Sequence, residues 1–192
     1  MAADDESPGD EDAALMLAYA RGDARAFDAL YARHGGGSYR YFLRSLRNEA
    51  LAGELFQDLW LQVVRARASY TVQARFATWL YRMAHNRLID HYRRSGVVEL
   101  VALDADGDTA ASEPADPQPG PEDAAAGRES ARRMLQLVEA LPAAQREAFL
   151  LQEEGGLSLA EIAAATGAGT ETVKSRLRYA MTRLRAGMKD FL

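Results

Sequence analysis

Apolar residues recur every three or four positions over most of the chain, and the recurrence stops and restarts in a way that divides it. From Ala13 to about Ser95 the pattern is helical nearly throughout, with few β-branched runs. It predicts helices near Ala13–Arg21, Ala24–His34, Ser38–Arg47, Glu49–Ala66 and Ala74–Arg94. The three glycines Gly35–Gly37 are expected to break the second helix from the third, with further turns at Asn48 and Tyr70–Gln73. Residues 95–129 lose the periodicity and carry four prolines, many acids and no aromatic residue, the composition of a flexible linker. From Ser130 the helical pattern returns. ARRMLQLVEAL makes one helix, ended by Pro142 or restarted at it, and AAQREAFLLQEE makes another, closed by Gly155-Gly156. The opening MAADDESPGDED reads as a disordered acidic tail. The expected fold is therefore all-α. Two small helical domains, 13–95 and 130–192, follow a tail at 1–12 and are joined by an acidic linker at 96–129.

Composition narrows the function. The chain of 192 residues is 48% hydrophobic, enough for a core. No window approaches ~18 uninterrupted apolar residues, so no membrane-spanning helix is expected. The N-terminus has neither a basic nor an apolar segment of the kind that opens a secretory signal. Cysteine is absent, which removes disulfides and thiolate metal sites. A cytoplasmic protein fits these features best. The net charge of −5 conceals a division: residues 13–98 hold thirteen bases and six acids, whereas residues 99–129 hold one base and nine acids. A basic block flanked by acidic segments is the electrostatic footprint of a polyanion partner, or else an ordinary solvated helix surface.

The segment LSLAEIAAATGAGTETVKSRLRYAMTRLR has finer grain. Ser158 and Glu161, three apart, form a capping box at a helix start. Leu159, Ile162 and Ala163 share a face, with Ala163 small enough for a close helix crossing. Gly167 is placed to end the helix in a left-handed conformation, and Thr170 to cap the next. Val173, Leu177 and Ala180 then form a buried stripe. Lys174, Arg178 and Tyr179 lie opposite it, with Ser175 and Arg176 beside them and Arg183 and Arg185 extending the charge. A helix, a short turn and a basic second helix suit insertion into a DNA major groove. The competing account is an ordinary amphipathic hairpin.

FATWLYRMAHNRLIDHYRR, Phe76 to Arg94, combines an apolar stripe of Ala77, Leu80, Ala84 and Leu88 with a second face of Trp79, Met83, Asn86, Asp90 and Arg93. Part of its aromatic set belongs to a core. Core packing accounts less well for Asn86 and the run Tyr92-Arg93-Arg94 beside Trp79. Aromatics among arginines are what single-stranded nucleic acid needs, since bases stack on rings and phosphates pair with guanidiniums. Tyr70, in the preceding turn, offers a further ring. His85 and His91 are six apart, on different sides of a helix, with no motif to make them metal ligands. No nucleophile–base arrangement and no phosphate-cradling glycine loop stands out, so neither a catalytic residue nor a metal or cofactor is expected. The helix ELFQDLWLQVV, Glu54 to Val64, carries Glu54, Gln57, Asp58 and Gln62 beside Leu55, Leu59 and Val63. That surface suits a protein partner better than DNA.

Together these segments resemble bacterial RNA polymerase sigma factors of the extracytoplasmic-function type. FDALYARH, ELFQDLWLQV and FATWLYRMAHNRLIDHYRR look like the family's region 2, and LPAAQREAFLLQEEGGLSLAEIAAATGAGTETVKSRL looks like its region 4. The resemblance implies a non-enzymatic subunit that binds core RNA polymerase, directs it to promoters and assists opening of the duplex. By position it implies that Tyr70 and Asn86 contact the captured single strand of the −10 element, with Trp79, Arg93 and Arg94 on the same surface. Glu54, Leu55, Gln57 and Asp58 would dock on the clamp helices of the β′ subunit, and the β subunit is a further implied contact. Thr170, Thr172, Lys174, Ser175, Arg176, Arg178 and Tyr179 would read the −35 element. Members are commonly held inactive by an anti-sigma factor.

Some positions depart from the family pattern. Gly53 stands where the docking motif usually has an acid, and Glu54 where it usually has aspartate. Tyr179 and Met181 replace arginines common in the recognition helix. Each phosphate left without its arginine should flatten the salt dependence of binding by roughly 0.9 log units. Two other classes remain. A stand-alone helix-turn-helix regulator of duplex DNA explains residues 130–192 but leaves the Glu54–Val64 and Phe76–Arg94 surfaces unused. A helical adaptor that binds only proteins would show no salt-dependent DNA binding.

Overall fold

The computed structural model describes residues 8–96 and 124–189, which form eight α-helices. Four make up the N-terminal block: α1 (Pro8–Ala20), α2 (Ala24–Leu46), α3 (Glu49–Ala66) and α4 (Phe76–Arg94), with one 3₁₀ turn at Arg67–Ser69. Four make up the C-terminal block: α5 (Ala124–Ala140), α6 (Ala143–Glu153), α7 (Leu159–Thr166) and α8 (Thr170–Gly187). Residues 1–7 of the expected tail and 97–123 of the expected linker lie outside the described residues. Pro8–Asp12, expected to belong to the tail, instead open α1. There the Asp12 carboxylate is buried and accepts hydrogen bonds from Arg33 at 2.5 Å and His34 at 2.7 Å.

Local chemistry places the helix ends. The Asp23 side chain accepts from the Arg25 amide ahead of α2, and Asn48 does the same for Leu51 ahead of α3. Arg47 turns left-handed at φ 52° to end α2. Ser158 and Glu161 form the expected capping box of α7, and Gly167, at φ 72°, closes that helix as expected. Thr170 does not cap α8. Gly169 holds the cap position without a side-chain bond, and Thr170 is the first helical residue.

The largest departure from the sequence-based expectation is α2, which runs unbroken through Gly35–Gly37. Three glycines cost a helix roughly 1 kcal/mol each relative to alanine, so packing must hold this segment helical. Gly37 shows how. A Cβ there would stand 2.7 Å from the Glu154 carbonyl oxygen and 2.8 Å from the Tyr81 hydroxyl. The missing side chain is the space into which the end of α6 fits.

One continuous hydrophobic cluster spans both blocks. Tyr41, Phe42, Leu59, Phe76, Leu80 and Tyr81 are fully buried on the N-terminal side, and Leu150, Leu151, Leu157 and Ile162 on the other. Polar groups stitch the seam. Glu154 accepts from Arg40 Nε at 2.7 Å and pairs with Arg44, while Tyr81 donates to the Glu154 carbonyl at 2.8 Å. Glu147 accepts from the Tyr41 hydroxyl and contacts His85 Nδ1, each at 2.7 Å. Buried Arg146 donates to the carbonyls of Glu139, Leu141 and Ser45. Burial opposes ionisation of Glu147. The bond and charge of His85, the Tyr41 hydroxyl and the nearby Arg176 outweigh it and hold the carboxyl below its ordinary value.

Two expectations follow. Gly37→Ala destabilises the fold by about 1–3 kcal/mol through overpacking. Gly36→Ala, whose Cβ meets only the flexible end of Arg40 at 3.1 Å, stabilises it by roughly 1 kcal/mol; thermal and denaturant unfolding of the two variants test the contrast. A carboxyl held low in the folded state contributes stability above its ordinary range of about 4 and loses it as pH falls through the lower folded value. Stability therefore falls as the pH drops below the ordinary carboxylate range, and less steeply in Glu147→Gln, measured as unfolding midpoint against pH.

Candidate nucleic-acid and polymerase interfaces

The turn between α3 and α4 bends back over the start of α4 and encloses a cleft of about 480 Å³. Ser69, Tyr70, Thr71 and Gln73 line one wall, and Thr78, Trp79 and Arg82 the other. Ala164, from α7 of the C-terminal block, closes the third side. Tyr70 is 7% exposed, packed edge-on against Trp79 with ring centroids 4.9 Å apart, and against Phe76 at 6.4 Å. Its hydroxyl is buried with no hydrogen-bond partner. Burial, then the charge of Asp12, pushes the Tyr70 phenol up, so it stays a neutral donor.

Beyond the cleft, α4 presents Arg82, Asn86, Asp90 and Arg93 in an exposed line, Asp90 lying 4.0 Å from the Arg93 guanidinium, with Arg94 also exposed nearby. Their spacing of three, four and seven residues keeps Arg82, Asn86 and Arg93 on the face that Trp79 begins. Met83, read from the sequence as part of that face, is buried. His85 faces Glu147 instead, at the seam between blocks. Arg82 belongs to the arginines set among aromatics in this helix, whereas Gln73 carries no sequence signal of its own for this site. Only the fold of the turn brings them to the same cleft as Tyr70 and Trp79.

On α8 the structure exposes Thr170, Thr172, Lys174, Arg178 and Tyr179. The Arg178 guanidinium lies over the Tyr179 ring, 5.0 Å from its centroid, and Tyr179 is 52% exposed. Ser175 is half-buried. Arg176 is half-buried too, with its Nε enclosed and unpartnered beside the seam carboxylate Glu147. The face that α8 offers outward is thus Lys174 with the Arg178–Tyr179 pair, and Arg176 stands apart from it.

On α3, Glu54 and Gln57 are exposed and Asp58 half-buried. Leu61, one turn further on, is 50% exposed and continues the same stripe. Leu55 is 3% exposed and belongs to the core, so its side chain holds α3 in place and does not face outward. No helix of the described residues is long and apolar enough to cross a membrane.

Two sigma-factor family descriptions match the chain, over separate stretches. Residues 30–97 match the Sigma-70 region 2 family, and residues 131–184 match Sigma-70, region 4. The RNA polymerase sigma factor CarQ of Myxococcus xanthus is 32% identical over 171 residues, which cover 88% of this chain and 93% of CarQ. The ECF RNA polymerase sigma factor SigM of Mycobacterium tuberculosis is 31% identical over 173 residues, covering 90% of this chain and 82% of SigM. Among solved structures, CnrH in complex with the cytosolic domain of CnrY superposes with a TM-score of 0.65 at 24% identity, over 94% of this chain and 99% of that one. The sigma factor RpoE of Bartonella quintana, in complex with the anti-sigma factor NepR, gives a TM-score of 0.63 at 22% identity, over 86% of this chain and 98% of that one. These two likenesses establish the fold, and the family matches and curated relatives establish the lineage. The chain belongs to the sigma-70 family of RNA polymerase sigma factors, in its extracytoplasmic-function branch.

Proposed function

We propose that this initiation factor, a protein that directs RNA polymerase to promoters and is not itself an enzyme, divides its work among three surfaces. The cleft under Tyr70 and Trp79 takes an unstacked base of the −10 element, and Arg82, Asn86, Arg93 and Arg94 follow the strand along α4. The outward face of α8, with Lys174, Arg178, Tyr179, Thr170 and Thr172, enters the major groove of the −35 element. Ser175 borders that face, and Arg176 joins it once the seam with Glu147 is released. The α3 stripe of Glu54, Gln57 and Asp58 docks on the β′ clamp helices. Leu55 supports that stripe from the core side.

The observation that carries the reading is the cleft itself. It is lined by aromatic rings, hydroxyls and an amide, and it opens onto a line of cations and Asn86. A stacked base gains on the order of 1–3 kcal/mol there, against a few kcal/mol spent on unstacking it from the duplex. A regulator that only bound duplex DNA would have no use for such a cleft. The protein acts in the cytoplasm, where polymerase and promoters are. An anti-sigma factor is a fitting regulator, because RpoE of Bartonella quintana, which shares the fold, is seen with the anti-sigma factor NepR.

Reconstituted transcription with sigma-free core polymerase on a library of promoter fragments tests the proposal. Transcripts from a defined subset of fragments are expected; no transcripts and no co-elution with core polymerase would contradict it. Asn86→Ala is expected to impair promoter opening, followed by permanganate reactivity, more than polymerase binding. Lys174→Ala with Arg178→Ala weakens −35 binding and flattens its salt dependence by roughly 1.8 log units, the effect of leaving two phosphates unneutralised. On α3, Gln57→Ala weakens polymerase binding with little change in unfolding midpoint. Leu55→Ala instead costs about 2–5 kcal/mol of stability, and calorimetry beside a pull-down separates the two effects.

A further inference from the structure

The start of α4 holds an anion that belongs to the protein itself. Arg75, the residue before the helix, makes no side-chain cap. The Glu161 carboxylate of α7 sits there instead, accepting from the Thr78 hydroxyl at 2.8 Å and from Arg75 Nη1 at 3.2 and 3.3 Å. Arg75 Nη1 also approaches the Gly156 carbonyl at 3.4 Å, while its Nε is enclosed and unpartnered. Burial opposes ionisation of Glu161, and the amide and hydroxyl of Ser158, the Thr78 hydroxyl and the Arg75 charge overcome it. Beside this carboxylate lies the cleft, with the buried, unpartnered hydroxyl of Tyr70 on its wall and Ala164 of the same helix α7 across its mouth.

We propose that Arg75, Thr78 and the first turn of α4 form a seat for a phosphate of the captured single strand, and that Glu161 occupies this seat while the two blocks are packed together. A cation and a hydroxyl donor at the N-terminal end of a 19-residue helix suit a phosphodiester as well as a carboxylate. Thr78 lines the cleft and joins the seat, so a base entering beside Trp79 brings its phosphate to the place where Glu161 stands. The strand cannot enter without moving α7, because Ala164 and Glu161 leave together. Capture of the strand and release of the C-terminal block are then one exchange, carboxylate for phosphate. The seat rests on the proposed role of the cleft in base capture.

Glu161→Gln separates charge from fold. Glutamine keeps the capping box with Ser158 but removes the competing anion. The probe is a fluorescent pool of single strands about 12 nucleotides long, within the span that one single-strand site covers. It is titrated by anisotropy with the free full-length chain at several salt concentrations. Glu161→Gln is expected to bind several-fold more tightly than the unaltered chain. Its salt dependence should be steeper by roughly 0.7 log units, the signature of one added phosphate contact on a single strand. Adding Arg75→Gln should abolish both gains, and Asn86→Ala should weaken binding in every background. No gain in Glu161→Gln, or a gain that survives Arg75→Gln, overturns the seat. If Asn86→Ala still weakens binding in that case, base capture stands without the seat. Absence of single-strand binding in all variants would remove both.

Discussion

Two carboxylates, Glu147 within α6 and Glu154 at its end, govern how this chain is put together. Both have little contact with water, and each finds its counter-groups in the opposite block: Tyr41 and His85 for one, Arg40 and Arg44 for the other. Withdrawing a buried carboxylate from such partners costs about 3–5 kcal/mol if nothing replaces them. The same requirement explains the glycines of α2. Gly37 brings the Glu154 backbone to within hydrogen-bond reach of Tyr81, at the expense of local helix stability. Polar pairing and close backbone approach thus turn two helical blocks into one core.

That packing is in tension with the proposed division of work between the blocks. The −10 and −35 elements are centred about 25 base pairs apart, or roughly 85 Å at about 3.4 Å per base pair. A folded chain of this length has a radius of gyration of about 16 Å, so one closed molecule cannot touch both elements. If the two blocks read the two elements as proposed, they must part for promoter recognition. Alongside its apolar contacts the seam holds the polar groups of Glu147, Glu154 and Glu161, which can be re-solvated on parting. Arg40 and Arg75 already lie at its wetted edge. Binding of α3 to polymerase and of α8 to duplex DNA would supply the free energy to open it.

Much of this was legible in the sequence. The helical period, the capping box at Ser158–Glu161 and the terminating Gly167 are local signals, and the structure carries each of them. The all-α architecture and the order of the two blocks follow from the same periodicity. What the sequence could not show were consequences of contact at long range. Gly35–Gly37 reads as a break because nothing nearby favours a helix; only the arrival of Glu154, more than a hundred residues later, makes the glycines useful. Asp12 reads as tail because its partners Arg33 and His34 lie a helix away. At the candidate sites, Trp79, Arg82 and Asn86 stood out by type, whereas Gln73 joins the cleft only through the path of the turn. Leu55 matched a docking pattern but faces the core, since an apolar residue in a helical motif can serve either side.

The central claim is that the blocks are closed in the free protein and separate on the promoter. The sequence contains no cysteine, so single cysteines introduced at exposed Arg65 on α3 and Arg185 on α8 can carry a pair of spin labels. Electron–electron resonance distances between them test the claim directly. A single short distance is expected for the free chain, moving to a much longer one with core polymerase and promoter DNA. A broad or long distribution in the free chain, unchanged on adding polymerase and promoter, would contradict the account.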